Sequence, residues 1–112
     1  MATLATESLD TSKQTARALD DRQARELLSD LDGWELVSVD GIPRVEKSYT
    51  FKDFQQSLAF TNRVGALAED VGHHPAIVTE WGKVTVAWWS HDLGGLHRND
   101  LIMAARTDRL KG

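Results

Sequence analysis

A chain of 112 residues, 41% hydrophobic and 27% charged, has the length for one two-layer domain and not for two. Its net charge of −4, with no dense basic stretch, argues against gripping a nucleic-acid backbone, and the lack of cysteine excludes disulfides and thiolate metal sites. Met1 to Glu7 has neither a basic run nor an apolar core of the signal-peptide kind, and no apolar run approaches a membrane span, so the expectation is a cytoplasmic protein.

In chain order, residues 1–18 are rich in Thr, Ser and Ala without an apolar period and read as a flexible tail. Residues 19–112 read as a single domain. A first helix starts at Asp20 or Asp21, where Asp20 and Gln23 have capping-box spacing. Ala24, Leu27, Leu28 and Leu31 form its apolar stripe, and Gly33 is placed to stop it. A short strand follows from Trp34 to Val39. Asp40-Gly41 is a hairpin turn signal, and a second strand runs from Arg44 to Phe51. Val45, Lys47, Tyr49 and Phe51 share one face of it, with Lys47 out of character there.

The second helix is capped by Asp53. Phe54, Leu58, Thr61, Val64, Leu67, Ala68 and Val71 are its expected stripe. Gly72 ends it and Pro75 forbids its continuation. Strand three is expected over Ala76 to Trp81, a turn at Gly82-Lys83, and strand four over Val84 to Ser90. Val84, Val86 and Trp88 alternate with Thr85, Ala87, Trp89 and His91, so His91 should leave the sheet on the side opposite Trp88. A tight loop, Leu93-Gly94-Gly95-Leu96, leads to a third helix over Arg98 to Leu110. The order α-β-β-α-β-β-α predicts an α+β domain with a four-stranded antiparallel sheet and helices packed on one face.

Three of the four histidines fall in one short segment, with Glu69 just upstream. Glu69 and His73 are spaced i, i+4, which on one helix puts them on one face. A carboxylate beside an imidazole fixes its tautomer and favours the charged ring, the equipment of general acid–base chemistry. His74, beyond the helix-ending Gly72, should project elsewhere. The bland alternative is that His73 and His74 only cap the helix. A zinc site is the other, but adjacent histidines rarely aim at one ion and no i, i+4 His pair is present. Trp88 has the parity of a core residue. Trp81 and Trp89 could stack on a planar heterocycle or bury a subunit contact.

The run Glu69-x3-His73-His74-Pro75-x5-Trp81-x9-His91-x8-Asp100, with Gly33-Trp34, Phe51-Lys52-Asp53-Phe54, the Phe60/Val64/Ala68 face and Gly95-Leu96, resembles the pterin-4a-carbinolamine dehydratases over residues 20 to 110. The resemblance implies three helices on one side of the sheet and a homodimer or homotetramer. It implies loss of water from 4a-hydroxytetrahydropterin, a step of tetrahydrobiopterin recycling, with neither cofactor nor metal. By position, His73, His74 and His91 look like the catalytic histidines and Glu69 like the carboxylate orienting His73. His74, Trp81 and Asp100 look like substrate-binding or supporting residues. The fold also serves elsewhere as a dimerisation or assembly cofactor, the competing expectation. Three features depart from the pattern, one being a Trp88-Trp89 pair bulkier than the family pattern leads one to expect. Ser90 replaces threonine before the third histidine, and His97 replaces a Ser or Thr cap, which should loosen the third helix's start or move it toward Asn99.

Overall fold

The computed structural model describes residues 4–10 and 17–111. Its helices are α1 (Asp21–Leu28), α2 (Phe54–Val71) and α3 (Arg98–Leu110), and its strands are β1 (Glu35–Val39), β2 (Ile42–Thr50), β3 (Ala76–Glu80) and β4 (Lys83–Trp88). The strands form one antiparallel sheet in the order β1-β2-β4-β3, as the two predicted hairpins require once β2 and β4 pair at the centre.

Alternation along the central strands builds the core. Val45, Tyr49, Val84, Val86 and Trp88 face the helices and meet Phe60, Val64 and Ala68 of α2 and Leu101, Met103 and Ala104 of α3. The predicted stripe of α2 holds at Val64 and Ala68, which are buried, with Leu67 and Val71 packed against the core. It is corrected at its amino end, where Phe54 and Leu58 are exposed and Ser57 and Phe60 are buried instead. Thr61 of that helix face does reach the sheet, bonding the Thr79 hydroxyl at 2.6 Å. The apolar count along α2 admits more than one face, and the sheet selects the one whose side chains fit between β3 and β4.

Lys47, anomalous in sequence, is resolved by an acidic partner from a distant helix. Asp108 of α3 accepts from Lys47 Nζ at 2.9 Å, from Tyr49 Oη at 2.5 Å and from Trp34 Nε1 at 3.2 Å. Burial first, and then the Asp108 hydrogen bond, push the Tyr49 hydroxyl far above its ordinary range near 10.

Local chemistry sets the ends of the elements. Asp20 and Gln23 form the anticipated capping box of α1. Asp53 accepts from the backbone N–H of Gln56 at the start of α2. The turn between β3 and β4 is Trp81-Gly82, one residue earlier than expected, because Glu80 pairs with Lys83 and Gly82 takes the positive-φ position at 73°. Near the amino end, Leu4 is buried against α3. Glu7 receives Arg98 Nε and Nη2 at 2.7 Å each, and Asn99 exchanges bonds with the Asp10 backbone. The Thr/Ser/Ala composition announced none of these contacts. Among the described residues no helix is long and apolar enough to cross a membrane.

Candidate active site

The carboxyl end of α2, the carboxyl end of β4 and the first turn of α3 converge. Gly72, with φ at 70°, terminates α2 in the left-handed conformation, its N–H bonding the Ala68 carbonyl. The chain that leaves it turns His73 inward. His73 Nε2 donates to Asp100 Oδ1 at 2.6 Å, and the imidazole stacks on the buried Trp88 ring with centroids 5.6 Å apart and planes 21° apart. The His73 side chain is 23% exposed, so it is held from below and open above.

Asp100 is fully buried and fully occupied. Besides His73 it accepts from Ser90 Oγ at 2.8 Å and from the His97 backbone N–H at 2.9 Å. The last of these is half of a capping box. The His97 Nδ1 accepts from the Asn99 N–H at 2.9 Å, making His97 the N-cap of α3. The expectation of a looser start, shifted toward Asn99, is thereby corrected. An imidazole nitrogen can do what a hydroxyl does at this position, and Asp100 completes the box at N3.

The pairing of Glu69 is also corrected. Glu69 Oε2 accepts from His74 Nε2 at 2.5 Å, and the carboxylate beside His73 is Asp100. The i, i+4 rule holds for residues that are both helical, and His73 lies beyond the left-handed cap. That cap aims His73 at α3 and swings His74 back over the last turn of α2, the reverse of what helical spacing predicts. The Glu69–His74 pair is solvent-exposed, unlike His73–Asp100.

His91 opens a short 3-10 turn, His91–Leu93, in a loop pinched shut by Ser90 N–H to Gly95 O at 2.7 Å. Its ring lies against Trp89 with centroids 4.4 Å apart, following the predicted parity. Trp88 is buried and donates Nε1 to Thr107 Oγ1 at 3.0 Å, as core parity required. Trp81 is 73% exposed on the β3–β4 turn. Six residues of β4, roughly 20 Å at about 3.3 Å per residue, separate that turn from Trp88 and His73. The fold thus brings His73, Ser90 and Asp100 together, sets the His74–Glu69 pair one residue away, and leaves Trp81 at the far end of the hairpin. Ser90 as a partner of Asp100 was visible in sequence only as a hydroxyl in the right place.

Two clefts, of about 470 and 450 Å³, lie beside Lys52, Arg63 and Lys111 and beside Leu27, Glu7 and Arg98. Neither includes a candidate histidine. The chemistry is argued from the paired side chains and not from those hollows. Among the described residues no group of three His, Cys, Asp or Glu side chains is arranged to hold a metal ion.

Residues 17–110 match the family described as pterin 4 alpha carbinolamine dehydratase. A relative from Marinobacter nauticus, provisionally named a pterin-4-alpha-carbinolamine dehydratase, is 49% identical over 110 residues, 98% of this chain and 99% of its own. Another with the same provisional name, from Chlorobium limicola, is 62% identical over 84 residues, 75% and 74% of the two chains. Among solved structures, a transcriptional coactivator/pterin dehydratase from Brucella melitensis aligns with a TM-score of 0.76 at 30% identity, covering 86% of this chain and all of that one. A pterin dehydratase-like protein identified as a RuBisCO assembly factor in the alpha-carboxysome aligns at 0.60 with 28% identity, covering 73% and 93%. The α+β topology is shared with both solved structures, one described as a coactivator/pterin dehydratase and the other as an assembly factor. The chain belongs to the pterin-4a-carbinolamine dehydratase family, and its enzyme class is that of a hydro-lyase.

Proposed function

We propose that this protein removes water from a 4a-hydroxytetrahydropterin to give the quinonoid dihydropterin, in pterin recycling, by histidine acid–base catalysis. In this reaction the C4a hydroxyl takes a proton and the C4a–O bond breaks. The N5 lone pair forms the C4a–N5 double bond, and the N5 proton departs to a base. The balance is one water out, with no net oxidation or reduction. One acid and one base suffice.

The observation that carries this reading is His73 on Asp100. With Nε2–H committed to the carboxylate, Nδ1 is the nitrogen left for proton exchange with a ligand. His91 supplies the second proton-transfer group and His74, steadied by Glu69, holds the pterin. Asp100 supports rather than touches the substrate. Trp81 contributes to a pterin site only across a contact between copies of the chain. Exposed Phe54 and Leu58 on α2 fit the homo-oligomer that the family resemblance implies, and sedimentation of the purified protein reads that state.

The test is dehydration of chemically generated 4a-hydroxytetrahydropterin, followed through the absorbance of the quinonoid product. The expected result is acceleration over the uncatalysed rate, lost in the His73→Ala, His91→Ala double variant. A native protein that leaves the spontaneous rate unchanged overturns the reading. A second reading, a non-catalytic assembly cofactor, draws on the coactivator and assembly-factor names of the two structural relatives. The His73–Asp100 pair favours the enzyme, because a scaffold has no use for an imidazole whose second nitrogen is left for proton exchange.

A further inference from the structure

His73 and His74 are each held by a carboxylate. His91 is exposed, and among the described residues its side chain makes neither a hydrogen bond nor an ion pair. Its contact is the Trp89 ring at 4.4 Å. Trp89 in turn lies under Arg44, whose guanidinium carbon sits 3.8 Å from the indole centroid. The sheet register makes this stack. Val45 pairs with Trp88, so one step further along the antiparallel ladder Arg44 stands opposite Trp89, on the face away from the helices.

Arg44 also carries an unusual deficit. Its Nε is buried and, among the described residues, has no hydrogen-bond partner. A guanidinium that forgoes a bond and sits 3.8 Å over an indole is placed there by the cation–π contact, not by a carboxylate. The fork is planar and matches the ring, which an ammonium cannot do.

We propose that Arg44 is a positioning residue for His91, acting through Trp89: the guanidinium clamps the indole, and the indole fixes the imidazole that no polar partner holds. The order Arg44–Trp89–His91 replaces, for the third histidine, the carboxylates that Asp100 and Glu69 supply to the other two. The kinetic consequence rests on the dehydratase reading of His91, whereas the structural consequence does not.

The experiment pairs a spectroscopic readout with kinetics on the full-length protein. In the native protein the Trp89 ring current is expected to displace the His91 imidazole proton resonances, assigned among the four histidines by His91→Gln. Arg44→Ala and Arg44→Lys are expected to return those resonances toward free-histidine positions while leaving His73 unmoved. Trp89→Phe should keep most of the displacement and Trp89→Ala should abolish it. In the dehydration assay, Arg44→Ala and Arg44→Lys should each lower kcat several-fold with KM changed less than two-fold. Arg44→Ala added to Trp89→Ala should cost nothing further. A His91 resonance unmoved in a folded Arg44 variant overturns the proposal, as does full rescue by lysine or additive losses in the double variant. Should Arg44→Ala fail to fold, Arg44→Lys carries the same test. A native protein with no dehydration activity removes the proposed function, and the resonance arm still decides the clamp.

Discussion

Replacing Asp100 by asparagine tests the centre of the site, because the two residues are nearly isosteric and differ in what they can accept. In the native protein Oδ1 takes the His73 Nε2–H, and Oδ2 takes the Ser90 hydroxyl and the His97 backbone N–H. Asparagine has one acceptor oxygen. Placed toward Ser90 and His97, it keeps both of those bonds at neutral strength and turns its NH₂ toward His73. Nε2 must then become the acceptor and the ring proton must move to Nδ1. Bonds to a carboxylate are worth ~1.5–3 kcal/mol and neutral ones ~0.5–1.5 kcal/mol. Two weakened bonds and one reversed bond therefore cost ~2–4 kcal/mol. A domain of 112 residues unfolds with an entropy of about 2.1 cal/mol/K per residue, so each kcal/mol moves Tm by about 4 °C and the total by roughly 8–17 °C. The catalytic loss should be on the order of 10²–10⁴, the usual worth of one acid–base group. Calorimetry reads the first effect, single-turnover dehydration the second, and ¹⁵N–¹H correlation of the His73 ring the tautomer. An Asp100→Asn protein that keeps the Nε2–H tautomer and turns over within about three-fold of native would refute the reasoning.

Three further outcomes follow from other parts of the molecule. Gly72→Ala forces a side chain into φ at 70° and should cost ~1–2 kcal/mol in urea unfolding while displacing both histidines, so the activity loss should exceed that of a surface control of equal stability loss. Tyr49, the sole tyrosine, is raised in pKa by burial and by Asp108, so the ring should stay protonated in the folded protein as pH climbs past 10. The stability from this shift is fully present below about 10, where unfolded tyrosine also keeps its proton. It is lost as pH rises beyond that, so absorbance at 295 nm should change only with unfolding, and Asp108→Ala should let it change earlier. Glu7 lies below its ordinary value of 4.5 through the Arg98 hydrogen bond. Its contribution is present above about 4.5 and disappears as pH falls through the lowered value. The carboxylate is 38% exposed, so solvent screening leaves it a few tenths of a kcal/mol at most. Limited proteolysis near the amino end should accelerate at low pH, and Glu7→Gln should show that faster cleavage already at pH 7.

Much of this protein can be read from one-dimensional pattern because the relevant physics is local. Capping by Asp20 and Asp53, termination at Gly72, the turn at Asp40-Gly41, and the alternation that buries Val84, Val86 and Trp88 each depend on a few consecutive residues. The resemblance to the family signature then picks out His73, His74 and His91 as candidates, since residue type and spacing are all it needs. Partner choice was beyond that reach. Glu69 and His73 have helical spacing, yet one left-handed residue between them ends the helix and hands His73 to Asp100, 27 residues on. Lys47 looked misplaced until Asp108 arrived from the other end of the chain. Arg44 carried no signal at all, because its meaning lies in a cross-strand register with Trp89 that exists only once β2 and β4 pair. The sequence by itself determined which elements form and which residues can move protons. The tertiary structure alone decided which carboxylate meets which imidazole, because side-chain partners are set by where elements end and pack, and those distances are not written along the chain.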